Sequence, residues 1–280
     1  MLDVLSPQIL CFEDFLTLFS VPKACELNKP IFKKTFIEAT DGKKPILTAI
    51  DKKLLKNDVD RISWLYTLKP STINIAAYKD QEREYPEVAI LHIQLLKIES
   101  QGNKAKRIAH FINRAIPYPL VLLFTCNTGE EQLFSMVLAD KRVNQADKEK
   151  WVIEDSFQTR WINLLELSAI ESEFISNLTI SKLPFSNFFA FYQALIDSVV
   201  ALKCADLTGT FSLRDKSEGH SKNGKAGSRV ETLREIEKLE LHRTETINKV
   251  KKVKQMGKQV ELNTQANKLR DAISALKAEL

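Results

Sequence analysis

Alternation of apolar and polar positions along the chain first marks a strand near residue 60. In RISWLYTLK, the side chains of Ile62, Trp64, Tyr66 and Leu68 occupy every second position. Successive side chains of a β-strand point to opposite faces, so this period of two predicts a strand over residues 59–69.

A second region of the same type follows directly. The stretch TINIAAYKDQEREYPEVAILHIQLLK, residues 72–97, predicts two further strands joined by a charged turn. In GNKAKRIAHFINRAIP, apolar residues then recur at helical spacing in front of Pro117. The pattern therefore predicts three strands and then a helix.

The next two segments predict strands of different kinds. YPLVLLFTCN is a continuous apolar run of strand length, which is typical of a strand covered on both faces. EQLFSMVLADKRV follows a turn at residues 127–129 and predicts its neighbour. With a first helix over residues 6–19, the element order is αβββαββ. This is the order of a restriction-endonuclease-like core, although unrelated α/β domains can share it.

The C-terminal part of the chain predicts helices only. ELSAIESEFISNL and PFSNFFAFYQALIDSVVALKCA are helical, and residues 209–229 are rich in Gly, Ser, Lys and Asn, as in a flexible linker. We therefore expect an α+β fold in three parts: a mixed domain with an α/β sheet core at 1–208, the linker, and a helical hairpin or coiled-coil arm at 230–280.

The arm ends in a heptad-like seam that has three possible uses. Leu269, Ile273, Leu276 and Leu280 recur at alternating spacings of four and three residues. The seam can pack against an earlier helix of the same chain, against a second copy, or against a partner helix. The sequence leaves these alternatives open.

Composition narrows the function classes only slightly. The chain has 41 Lys and Arg against 36 Asp and Glu, a net charge of +5, which permits nucleic-acid contact without arguing for it. Its four cysteines are far apart and are expected to be buried free thiols, with no structural metal. The acidic start and the lack of a long apolar run predict a cytoplasmic protein without a membrane partner.

The nuclease-like element order raises the question of a metal site. A metal-dependent nuclease needs carboxylates and a lysine that converge at one end of the sheet. TINIAAY contains no acid, and Gln94 and Lys97 are three residues apart, so they diverge on a strand. We therefore expect no catalytic residues and no cofactor. A divergent nuclease would need an unusual Mg²⁺-binding set, namely Asp80, Glu87, Lys97 and Glu99.

The arm also carries a run of lysines. NKVKKVKQMGK contains no acid and includes Lys249, Lys251, Lys252, Lys254 and Lys258. Such a stripe can contact phosphates or a partner protein, but a lysine-rich helix face is commonly just solvated. These lysines are the candidate contact residues for nucleic acid or a partner.

Several of these segments together resemble a known family. VDRISWLYTLKPSTINI, YPEVAILHIQLLK, AIPYPLVLLF, TRWINL and the tail from EIEKLELHR onward are similar to a bacterial family of domains of unknown function. Its members are encoded beside helicases and DNA methyltransferases in restriction-like and phage-defence gene clusters. The resemblance implies a helicase or methyltransferase partner and brings no catalytic motif.

Two hypotheses follow. The first is a non-catalytic accessory subunit of a defence or restriction-like complex, with a nuclease-like scaffold and an arm that binds its partner, DNA or a second copy. The second is a divergent metal-dependent DNA nuclease. Copurification of a partner would support the first hypothesis, and metal-dependent cleavage of DNA would support the second.

Overall fold

The structure is a computed structural model that describes residues 11–41, 44–98, 104–144, 147, 151–213, 225–253 and 255–280. Its α-helices are α1 (Phe12–Phe19), α2 (Lys33–Glu38), α3 (Ala49–Asn57), α4 (Pro70–Ile73), α5 (Lys104–Ala115), α6 (Ala169–Asn177), α7 (Phe188–Thr208), α8 (Lys225–Lys252) and α9 (Met256–Lys277). Its strands are β1 (Glu26–Pro30), β2 (Thr40–Asp41), β3 (Lys44–Pro45), β4 (Val59–Leu68), β5 (Tyr78–Lys79), β6 (Glu84–Tyr85), β7 (Val88–Leu95), β8 (Leu120–Thr128), β9 (Glu131–Val143), β10 (Trp151–Gln158) and β11 (Ile162–Asn163). The predicted α+β class is confirmed.

A mixed sheet forms the centre of the first part of the chain. Its strand order is β1-β4-β7-β8-β9-β10, with β11 also paired to β9. Strands β7 and β8 are parallel, with Ile93 beside Phe124, and every other pairing in this sheet is antiparallel. Helix α5 makes the connection that a parallel pair requires.

One face of the sheet is covered by α3 and α5. The third predicted strand presents Leu91 and Ile93 to a core that also contains Ile108 and Ile112 of α5. Strand β8 is buried at seven successive positions, Leu120 to Cys126. The prediction of a strand covered on both faces is therefore confirmed, as are the predicted strands at β4, β7 and β9.

The predicted strand TINIAAY is wrong. Pro70 begins the short helix α4, where its fixed φ is favourable, and the Thr72 hydroxyl accepts a hydrogen bond from the Lys69 N–H at 3.0 Å. Asn74 then ends α4 in the left-handed region, with φ of 56°. Strand β7 consequently pairs with β4, and the predicted αβββαββ order with residues 72–78 as its second strand is not confirmed.

The charged turn instead belongs to a much smaller hairpin. Strands β5 and β6 contain two residues each, and Tyr78 pairs with Tyr85. This hairpin forms a separate two-stranded sheet and does not extend the main one.

The chain divides into two compact units, Met1–Val199 and Val200–Leu280, with the boundary inside α7. In the second unit, α8 and α9 form an antiparallel hairpin, in which Lys277 Nζ lies 3.1 Å from Glu240 Oε1. Residues 214–224 of the predicted linker lie outside the described residues, and α8 already begins at Lys225. The first ten residues, which include the start of the predicted first helix, also lie outside them.

Helix α7 is long and apolar enough to span a bilayer by length and composition. However, 67% of its most apolar window is buried inside the protein. Burial of this kind is the pattern of a core helix in a soluble protein.

Candidate functional site

Asp80, the first member of the predicted nuclease set, stabilises the β5–β6 turn. Its Oδ1 accepts hydrogen bonds from the backbone N–H groups of Glu82 at 2.8 Å and Arg83 at 2.6 Å, and its Oδ2 accepts one from the Tyr78 hydroxyl at 2.8 Å. Partial burial raises the pKa of Asp80, but these hydrogen bonds outweigh it and lower the pKa. An Asx turn of this kind is a sufficient structural role for the side chain.

Glu87 and Lys97 lie at opposite ends of β7. Glu87 Oε2 is 3.6 Å from Lys69 Nζ, whereas Lys97 Nζ is 3.7 Å from Asp58 Oδ1. Ten residue steps of extended chain separate them by roughly 30 Å. The structure therefore does not bring these two members together, and Glu99 lies outside the described residues.

Metal-ligating side chains do not gather elsewhere in the described part of the chain. Within it, no group of three or more His, Cys, Asp or Glu residues could hold a metal ion. A shallow depression of about 260 Å³ contains two adjacent acids, Glu130 and Glu131. Its other lining residues are Cys11, Asn127, Gly129, Gln132 and Leu165.

A charged network that the sequence did not reveal holds the small hairpin to the main sheet. Arg83 Nη2 lies 2.7 Å from Asp140 Oδ2 on β9 and 2.9 Å from Glu154 Oε2 on β10. Burial lowers the pKa of Arg83, but hydrogen bonding and charge attraction to Asp140 raise it further, so the guanidinium stays charged. The Tyr85 hydroxyl also contacts Asp140 at 3.4 Å, and burial raises the pKa of Tyr85. The partners are 57 and 71 residues away from Arg83, beyond the reach of any local pattern.

His92 lies on the β7 face opposite α5. Its ring stacks on Phe12 of α1 with centroids 4.2 Å apart, and its Nε2 is 2.7 Å from Thr125 Oγ1. Burial lowers the pKa of His92 to about 4, so the ring is neutral near pH 7. These contacts give His92 the role of a hydrogen-bonded structural residue.

Lys141 on β9 is a second buried titratable group. It is 1% exposed, and its Nζ donates hydrogen bonds to the carbonyls of Ile116 at 2.7 Å and Tyr118 at 2.8 Å. Burial lowers its pKa well below 10.5. Carbonyl groups at the end of a helix carry partial negative charge. The Lys141 amine therefore stabilises the C-terminal end of α5 by donating hydrogen bonds to the carbonyls that follow it.

The arm, meaning α8 and α9, places the predicted seam against its own chain. Ile273 is 6% exposed, and Leu269 and Leu276 are half-buried on the same side of α9. Leu280 is also half-buried but lies beyond the end of α9. Because α9 runs back along α8, this side packs within the hairpin. Packing within the chain is thus one use of this side, and its association with a second copy or a partner helix stays a prediction.

The hairpin end of the arm carries the lysine run. Lys249, Lys251, Lys252 and Lys258 are exposed, and Lys254 lies outside the described residues. Beside them, Met256 is 79% exposed and Val260 is 61% exposed. We call the four described lysines the basic tip, and Met256 with Val260 the apolar tip.

The whole-chain comparison identifies the family. A family model described as Domain of unknown function (DUF4391) matches residues 19–273. The chain belongs to the DUF4391 family. The match covers both units of this DUF4391 protein, from the end of α1 into α9. The comparisons with curated proteins and with solved structures give no match.

Proposed function

We propose that the protein is a non-catalytic accessory subunit of a bacterial defence or restriction-like complex in the cytoplasm. Its sheet domain serves as a scaffold, and its arm docks onto a helicase or DNA methyltransferase. The family resemblance supports this class of partner. The exposed apolar tip next to the basic tip is the observation that carries the docking role.

The apolar tip is suited to a protein contact. Met256 and Val260 are one helical turn apart on α9, so their side chains lie on the same side of the helix. Flexible methionine side chains adapt well to a binding surface. The α9 seam is already packed against α8, so this exposed pair remains available for a partner.

Copurification from the native cells tests the docking role. The tagged full-length protein is compared with a variant carrying Met256→Asp and Val260→Asp, and lysates are treated with nuclease to remove bridging nucleic acid. Leu241→Asp is the matched control, because Leu241 is 62% exposed on α8 but lies away from the tip. We expect a helicase or methyltransferase to copurify with the wild type and the control, and to be lost from the tip variant. Equal recovery with all three proteins would contradict docking through the tip.

The nuclease alternative is tested with the same preparations. DNA is incubated with the purified protein in Mg²⁺ or Mn²⁺, alongside Lys97→Ala and Glu99→Ala variants. Under the accessory role we expect no metal-dependent cleavage. Cleavage that both substitutions abolish would favour a divergent nuclease and count against the proposal.

A further inference from the structure

The basic tip is an unusual concentration of one charge. From Thr246 to Val260 the sequence contains five lysines and no acid, with Glu245 and Glu261 at its borders. Further back along α8, acids alternate with bases, as in Glu235 and Lys238, which lie 3.5 Å apart. The positive charge therefore concentrates at the hairpin end.

The tip lysines are not neutralised by the rest of the described chain. Some exposed lysines elsewhere have carboxylate partners, including Lys34 with Glu38 at 3.5 Å and Lys79 with Glu84 at 2.9 Å. No such ion pair with a described residue occurs at Lys249, Lys251, Lys252 or Lys258. Lys249 and Lys252 are three residues apart on one helix, so like charges face each other. A ligand that supplies negative charge would relieve this repulsion.

We propose that the basic tip binds the phosphate backbone of duplex nucleic acid without reading its sequence. Three of its lysines lie on α8 and the fourth on α9, and consecutive positions such as Lys251 and Lys252 point in different directions around the helix. Lysines that point in several directions suit a ligand with negative charge along its whole length, such as a nucleic-acid backbone. An acidic patch on a protein would instead be matched by lysines on a single face of the helix.

The residue types at the tip explain why binding is independent of sequence. The stretch from Thr246 to Val260 contains no arginine and no aromatic residue. Arginine contacts guanine through a planar two-donor fork that a lysine ammonium lacks, and aromatic rings stack on unpaired bases. Lysine is a flexible point charge that neutralises phosphates equally well on any sequence.

The inference deepens the proposed function, because it names the substrate on which the accessory subunit and its partner would meet. It is tested on the purified full-length protein alone, so the two proposals fail separately. A protein that binds duplex DNA but captures no helicase or methyltransferase would uphold this inference and contradict the docking role. A protein that captures the helicase or methyltransferase but does not bind duplex DNA would uphold the docking role and contradict this inference.

The experiment measures fluorescence anisotropy of labelled duplexes of two unrelated sequences over a series of salt concentrations. Four phosphate contacts predict a slope of log affinity against log salt of up to about −3.6, from about −0.9 per contact. Lys251→Gln with Lys252→Gln should reduce its magnitude by about 1.8, from the same value per contact. Lys53→Gln with Lys56→Gln, on the exposed surface of α3, is the matched control and should keep the wild-type slope.

Three results would overturn the inference. One is an unchanged slope in the tip variant, provided that its helical circular dichroism matches the wild type. Another is an equal loss in the α3 control, which would place the contact elsewhere or make it diffuse. The third is a tip variant that binds duplexes normally but no longer captures the helicase or methyltransferase, which would assign the lysines to a protein partner.

Discussion

The guanidinium of Arg83 contacts the carboxylate of Asp140, with Nη2 2.7 Å from Oδ2, and thereby joins the β5–β6 hairpin to β9. Both side chains are less than one-fifth exposed. The backbone N–H of Val143 also donates a hydrogen bond to the Glu82 carbonyl at 2.7 Å. The charged turn of the predicted nuclease hairpin is thus part of a structural attachment.

Replacing Arg83 should destabilise the first unit. Arg83→Met leaves Asp140 without its charged donor, and loss of a partly buried hydrogen bond to a charged group costs about 2–3 kcal/mol. Urea unfolding measures the change. Arg142→Met is the control, since Arg142 contacts only the more exposed Glu154 among described carboxylates, and a surface pair contributes about 0–1 kcal/mol. Equal losses in the two variants would contradict a special role for the Arg83–Asp140 pair.

The sequence predicted the elements whose patterns are strong and local. The apolar run of β8 and the helical spacing of α5 correspond directly to buried segments. TINIAAY was misassigned because Pro70 and the Thr72 hydroxyl stabilise a helical turn that outweighs the strand preference of the isoleucines. Contacts such as Arg83 with Asp140 depend on the folded chain, so no spacing rule could have found them. For the arm, the sequence revealed the seam but not the helix against which it packs.

Because of Lys141, the stability of the first unit should vary with pH in the alkaline range. Its pKa in the folded state is lowered from 10.5, so the unfolded state binds more protons between these two pKa values. Stability should therefore rise with pH across this window in the wild type.

The Lys141→Met variant lacks this contribution. Its free energy of unfolding, relative to the wild type, should fall as the pH is raised from 7 to 10. Urea unfolding at several pH values measures the difference. Lys53→Met, at an exposed position on α3, should follow the wild type at every pH. A constant difference between Lys141→Met and wild type would show that the buried amine does not titrate in this window.

His92 predicts a dependence of the same sign at acid pH. Its pKa is about 4 in the folded state against 6.5 ordinarily, so the unfolded state takes up the proton first. The stability that the neutral ring contributes is present above pH 6.5 and is lost as the pH falls toward 4. The loss amounts to up to about 3 kcal/mol.

His92→Gln keeps a polar group that can reach Thr125 but does not titrate. We expect the wild type to lose up to about 3 kcal/mol more than this variant between pH 7 and 4, measured by urea unfolding. His242→Gln, at an exposed position on α8, leaves His92 intact and should retain the wild-type acid slope. Parallel acid profiles of His92→Gln and wild type would contradict the burial-driven shift.

Ile273 tests whether the α9 seam holds the arm together. Ile273 is 6% exposed, and Ile273→Ala should destabilise the second unit by about 2–4 kcal/mol, because a buried isoleucine loses apolar contact and leaves a cavity. Leu241→Ala, at a position 62% exposed, should change the free energy of unfolding by less than about 0.5 kcal/mol. Circular dichroism of urea unfolding measures both variants, and the helical loss should begin at lower urea in Ile273→Ala. If Ile273→Ala instead unfolds like the wild type but changes the mass of the protein in solution, the seam serves association between chains, and the hairpin is held by other contacts.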